Sequence, residues 1–257
     1  MGLGYTNKEP LELAMIISLA DRLVLMEKLY AIHAQQCARF DLACTRKCAA
    51  CCTCNVTLTT LEGLALWRRL EQGAAPDWRE HVVAAAVPGR FQPGMTLNEM
   101  AARCASGQDI PEESAQADAG PCPLLTGPPA EDLCPVYLVR PFGCRAMVSQ
   151  DTCSSEDAAQ MPDFILALNT VLLQYIEGLD SSGLSGNLTD VLHFMDNPQN
   201  RRDYERQLVL EPQGPLLKNR PVSVLMVPPE QRAGMQPVLS AIQTEIKRAF
   251  LQSGMKG

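Results

Sequence analysis

Cys44-Thr45-Arg46-Lys47-Cys48-Ala49-Ala50-Cys51-Cys52-Thr53-Cys54 holds five of the chain's eleven cysteines in eleven consecutive residues. Thiolates are soft ligands that suit iron–sulfur clusters, zinc and copper(I), so thiols packed this densely point first to a metal site. The spacing is C-x3-C-x2-C-C, at Cys44, Cys48, Cys51 and Cys52. Asp41 can cap a helix through this run. On such a helix Cys44, Cys48 and Cys51 share a stripe, and Cys52 lies about 100° around the axis from Cys51. Three thiols then aim at one point, while the fourth needs local unwinding. Cys54 is a bystander unless the site is polynuclear.

A second group follows far along the chain: Cys122-Pro123-Leu124-Leu125, Cys134-Pro135-Val136-Tyr137, and Arg140-Pro141-Phe142-Gly143-Cys144-Arg145. Five prolines and two glycines between Cys122 and Cys144 disfavour regular structure and suit a chain wrapped around a site. Tetrahedral zinc and cubane clusters each take four ligands. Seven clustered cysteines exceed that number, so either some are spectators or the site holds more than one metal. Widely spaced single cysteines differ from the paired knuckles of zinc ribbons. A proline directly after Cys122 and Cys134 also recurs beside cluster ligands. The expected cofactor is therefore an iron–sulfur cluster or other iron, with zinc as the alternative. Arg140 and Arg145 flank Cys144 and are candidate cofactor-binding residues, because guanidinium donors can offset the charge of metal-bound thiolates. Ordinary ion pairing is their other reading. Tyr137 reads either as closing the site or as filling core, with core the preferred reading.

Together these motifs resemble the CxxCxxCC family of zinc- or iron-chelating proteins, also called YkgJ-type cysteine-cluster proteins. The likeness covers about Cys44 to Val148 and joins the cysteine run, Cys122-Pro-Leu-Leu, Cys134-x2-Tyr137 and Arg140-Pro-x2-Cys144-Arg145. Val56-x-Leu58-Thr59-x2-Glu62 also resembles the family's stretch after its double cysteine. Cys44 departs from the pattern, preceding Cys48 by three residues where the family has two. The resemblance implies metal or cluster binding. The flagellin lysine methylases share a similar cysteine set and methylate protein lysines. That activity is not carried over, because no glycine-rich nucleotide-binding fingerprint follows a strand here.

The flanks read as helical, giving a mainly α fold with little or no sheet, as a single domain over 1–257. The metal-binding region spans about 44–153, between an N-terminal scaffold helix over 9–39 and C-terminal helices over 155–253. In the first helix, Pro10 suits the opening turn, and Leu13, Ile16, Ile17, Ala20, Leu23, Val24, Leu29 and Ile32 recur at helical spacing. His33 and Cys37 lie one turn apart at its end, where His33 reads as a packing residue. Thr59 to Glu62 forms a capping box, opening a helix through about Gln72. A helix over Trp78–Ala86 places His81 on the surface. A second box, Thr96 to Glu99, opens a helix with Cys104 as a core residue. Ala105 to Pro121 reads as a long loop. Beyond it come a helix from Ala158 to Leu179, and one from Leu188 to Met195 capped by Asn187, on which His193 reads as structural. A strand over Val222–Val227 and a final helix over Pro229–Leu251, with Lys247 and Arg248 in its last turn, complete the chain.

Composition narrows the partners. At 257 residues the chain can bury a core without help from a metal. Net charge is −7, Arg68-Arg69 and Arg201-Arg202 are isolated basic pairs, and aromatics make up 5%. That balance argues against nucleic acid. The apolar stretch Leu13–Ala20 is bracketed by Glu12 and Asp21, so neither a signal peptide nor a membrane span is expected. The expected compartment is the reducing cytoplasm, where free thiols read as ligands rather than disulfides. Metal ions are the expected partners, with a redox or protein partner beside them. The competing classes are a cluster-dependent oxidoreductase or protein-lysine methylase, and a zinc-stapled interaction module.

Overall fold

The structure, a computed structural model, describes residues 17–113, 120–126, 134–153 and 159–254. The described residues hold nine α-helices and one small sheet, with 53% of those residues helical and 5% in strands. The helices are α1 (Leu19–Cys37), α2 (Thr60–Arg69), α3 (Trp78–Ala84), α4 (Leu97–Ala105), α5 (Phe142–Ala146), α6 (Asp163–Leu179), α7 (Leu188–Asp196), α8 (Pro198–Glu205) and α9 (Arg232–Gly254). The strands are β1 (Thr57–Thr59), β2 (Leu184–Asn187) and β3 (Leu217–Lys218), paired antiparallel in the order β1-β2-β3. Leu58 lies opposite Gly186, and Ser185 opposite Leu217.

Two apolar cores sit on either side of α2. In the first, α1 packs against α6 and α9. Its centre is Met26 and Leu29 with Leu168, Leu172, Ile176, Met235 and Ile242, all buried. In the second, α2 packs on α7, and Leu64, Leu66 and Trp78 meet Val191, Leu192 and Tyr204. Gly63 lets α2 and α7 approach closely, since a Cβ there would collide with Val191.

The local signals explain most boundaries. Thr59 and Glu62 form the capping box of α2, each satisfying the other's backbone N–H. Thr96 accepts from the Glu99 N–H at the start of α4, and Asn187 accepts from Thr189 at the start of α7. The N-terminal helix is shorter than its periodicity predicts. Ser18 is extended and caps Asp21, so α1 begins at Leu19; Pro10 and the first expected turns lie outside the described residues. Likewise α6 starts at Asp163, after Pro162, and part of its expected first turns falls outside them.

Several expectations are corrected. Val222–Val227 is not a strand, because its backbone is held by a side chain. Gln174 donates to Val224 O at 2.8 Å and accepts from Met226 N at 2.8 Å. The third strand is Leu217–Lys218 instead. A helix opened by Asn197 and Pro198 fills part of the stretch expected to be mixed. The last helix runs on to Gly254, so Lys247 and Arg248 are not in its last turn. Cys104 is exposed rather than core, and His193 is exposed too.

Candidate metal centre

The largest correction falls on the cysteine run, which is not helical. Its N–H groups close short turns, Cys48 to Thr45 O at 3.0 Å and Cys52 to Ala49 O at 2.9 Å. The following backbone is committed to distant chain. Thr53 bridges Pro121 antiparallel, Cys54 N–H donates to Gly120 O at 2.7 Å, and Cys122 N–H donates to Cys52 O at 3.0 Å. Local helical spacing cannot compete with pairing that satisfies these groups non-locally. The start of the run is tied to the chain after α5, through Ala43 N–H to Ser149 O at 2.9 Å and Ser149 N–H to the Cys44 sulfur at 3.3 Å.

The third cysteine-bearing piece enters on α5. Phe142 is buried beside Tyr30 and His33 of α1, with ring centroids 5.9 Å and 5.0 Å away. Its N–H donates to Glu62 Oε1 at 2.6 Å. A Cβ on Gly143 would stand 3.0 Å from Thr57 O, so glycine lets α5 lie against β1. The next residue is Cys144. His33 itself is packed among buried groups: its Nε2 lies 2.9 Å from Asn169 Oδ1 and 3.4 Å from the Cys37 sulfur. Burial pulls its pKa down to about 4.

These ties bring all seven expected cysteines to one cavity of about 230 Å³. Cys44, Cys48, Cys51, Cys52, Cys122, Cys134 and Cys144 line it, with Arg46, Tyr137 and Arg140 and a wall that includes Val56, Leu124, Val136 and Leu188. No Asp, Glu or His is among the described residues that line it. Arg140 lies over the Tyr137 ring, 4.2 Å from its centroid, and Arg46 stands 5.2 Å from the same ring. The Arg140 Nε is buried without a hydrogen-bond partner. Arg145 is placed elsewhere. Its guanidinium donates to Arg140 O at 2.9 Å and Leu138 O at 2.7 Å and covers the Tyr30 ring at 4.5 Å, so it braces α5 from behind.

Burial makes Cys44, Cys122, Cys134 and Cys144 reluctant acids. It pushes Cys122 up to about 11 and is the main reason Cys144 and Cys134 are raised, with Arg140 opposing the shift at both. Cys51 is raised chiefly by a hydrogen bond with Cys52 and then by burial. Burial also raises Cys44, against the Ser149 N–H. Among the described residues, no three Cys, His, Asp or Glu side chains already stand where they could hold one metal ion. The thiols surround the cavity rather than converge within it, so binding would require proton loss and movement of ligands on the irregular run.

The donor set nevertheless fits a soft metal. Every candidate ligand is sulfur, the wall is largely apolar, and a buried guanidinium N–H lacks an acceptor. Sequence reasoning missed Arg46 and preferred core over site closure for Tyr137, which lines the cavity. The available signal was the position of Arg46 between two expected ligands. Cys54 is buried and does not line the cavity. Comparison with family models, curated proteins and solved structures finds no match for this chain.

Proposed function

We propose that the chain is a metal-binding protein of the CxxCxxCC type that holds an iron–sulfur cluster or other iron through thiolates from two distant segments. The observation that carries this reading is one cavity walled by seven thiols with no carboxylate or imidazole among the described residues that line it. Cys48, Cys51, Cys52, Cys122, Cys134 and Cys144 are the principal ligand candidates, and Cys44 is the seventh. A bound cluster supplies one-electron transfer. Arg140 offsets thiolate charge from the cavity wall, and Tyr137 holds its guanidinium in place. The apolar wall limits water around the sulfurs. The compartment is the reducing cytoplasm, where such thiols stay free.

Anaerobic purification followed by metal analysis and visible absorbance tests the reading. The expected sample is coloured and contains iron and acid-labile sulfide, whereas a colourless sample with stoichiometric zinc replaces iron by zinc. Cys144→Ser and Cys51→Ser each lose metal, while Cys104→Ser retains it. Full metal retention in Cys144→Ser overturns the two-segment site.

A further inference from the structure

The thiol cavity carries two cations that its own walls do not neutralise. Arg46 and Arg140 both line it, and no described Asp or Glu does. Neither forms a salt bridge among the described residues. The Arg140 Nε is buried and unpartnered, a costly state for a donor that water cannot reach. Tyr137 lies under both guanidinium groups and holds them at the cavity, lowering the ordering cost of binding.

We propose that this cavity binds a small organic carboxylate, its head on Arg140 and Arg46 and its short apolar tail against Leu124, Val136 and Leu188. A carboxylate matches the planar fork of guanidinium donors. The volume of about 230 Å³ exceeds the roughly 30 Å³ share of a single water-sized occupant. The apolar wall gives the tail a surface that inorganic anions cannot use. This inference rests on the same cavity as the metal reading but does not require the metal.

The test titrates butanoate into the reduced, metal-free full chain and into the metal-loaded chain, by calorimetry. Butan-1-ol, butylammonium and inorganic phosphate are the controls, and metal content is measured on the same samples. Saturable one-to-one butanoate binding is expected, with butan-1-ol and butylammonium much weaker and phosphate weaker than butanoate. Arg140→Gln weakens butanoate at least about tenfold, the loss of one charge-assisted hydrogen bond. Arg46→Gln, at an exposed position whose change leaves the fold intact, weakens it several-fold. Absence of saturable butanoate binding overturns the proposal, as does equal binding of butan-1-ol or wild-type affinity in Arg46→Gln. Equal binding of phosphate overturns the tail contact. Metal uptake without butanoate binding defeats this inference alone, and butanoate binding without metal uptake defeats the metal reading alone.

Discussion

Glu62 joins the helical scaffold to the second cysteine segment, and Glu62→Gln tests that link. Its Oε1 accepts from Tyr30 OH at 2.8 Å and Phe142 N–H at 2.6 Å. Its Oε2 accepts from Thr59 N–H at 2.9 Å and Thr59 OH at 3.1 Å. The side chain is 3% exposed, so water cannot replace a lost acceptor. Glutamine keeps one oxygen and turns the other into a donor. The two hydroxyls can rotate away, but each oxygen also faces a backbone N–H that cannot. One of Thr59 N–H and Phe142 N–H must therefore be left buried and unsatisfied. Losing a charge-assisted bond and orphaning its donor costs about 2–4 kcal/mol. Urea unfolding reads this as a lower midpoint at unchanged slope, and hydrogen exchange at Phe142 N–H reads the local opening of α5. If Phe142 loses its partner, Cys144 is no longer held at the cavity, and metal affinity falls with stability. A stability change below about 0.5 kcal/mol, within the range of surface substitutions, refutes the argument.

Asp180 gives a pH signature. Burial pushes its carboxyl up to about 6, against hydrogen bonds from Thr60 and Tyr204 and the charge of Arg22. A folded pKa above the unfolded one stabilises fully below about pH 4, and that contribution disappears as pH rises through about 6. Relative to Asp180→Asn, the wild-type chain should lose about 3 kcal/mol between about pH 4 and 7; a flat difference in urea unfolding contradicts this. Gly183→Ala would drive a Cβ into Thr60 Oγ1 and Asp180 Oδ2, costing more than about 2 kcal/mol in the same assay. Gly73→Ala meets no atom, but at φ +84 it should still cost about 1 kcal/mol. Metal removal by a chelator should leave far-UV circular dichroism unchanged, because α1, α6 and α9 pack without the cavity cysteines. It should speed proteolysis within residues 44–54, and a cooperative loss of helicity would show instead that the metal holds the fold.

Much of the helical frame was legible because its signals are local. The Thr59–Glu62 capping box and the Thr96 and Asn187 caps each fix a helix start within a few residues, although Glu99 turns its carboxylate to Arg103 and Arg220 and leaves the expected second box half-formed. Errors arose where a distant group supplied the hydrogen bonds. Gln174 holds Val224 and Met226, and no periodicity within Val222–Val227 could announce that. Cys104 illustrates another limit: the helix of an isolated cysteine is readable, but not which face meets the core.

By itself, the sequence determined that the chain is mainly helical and that its cysteines fall into two separated groups, since capping, periodicity and spacing are properties of neighbouring residues. Tertiary structure decided how the groups meet. Cys44 to Cys52 could have been a helix with a thiol stripe. It became a set of turns because the backbone from Cys52 to Cys54 pairs with Gly120, Pro121 and Cys122. The same long-range contacts set Arg140 in the cavity wall and turned Arg145 onto Tyr30. They also brought in Arg46, whose role depends on a ring contributed by the other segment.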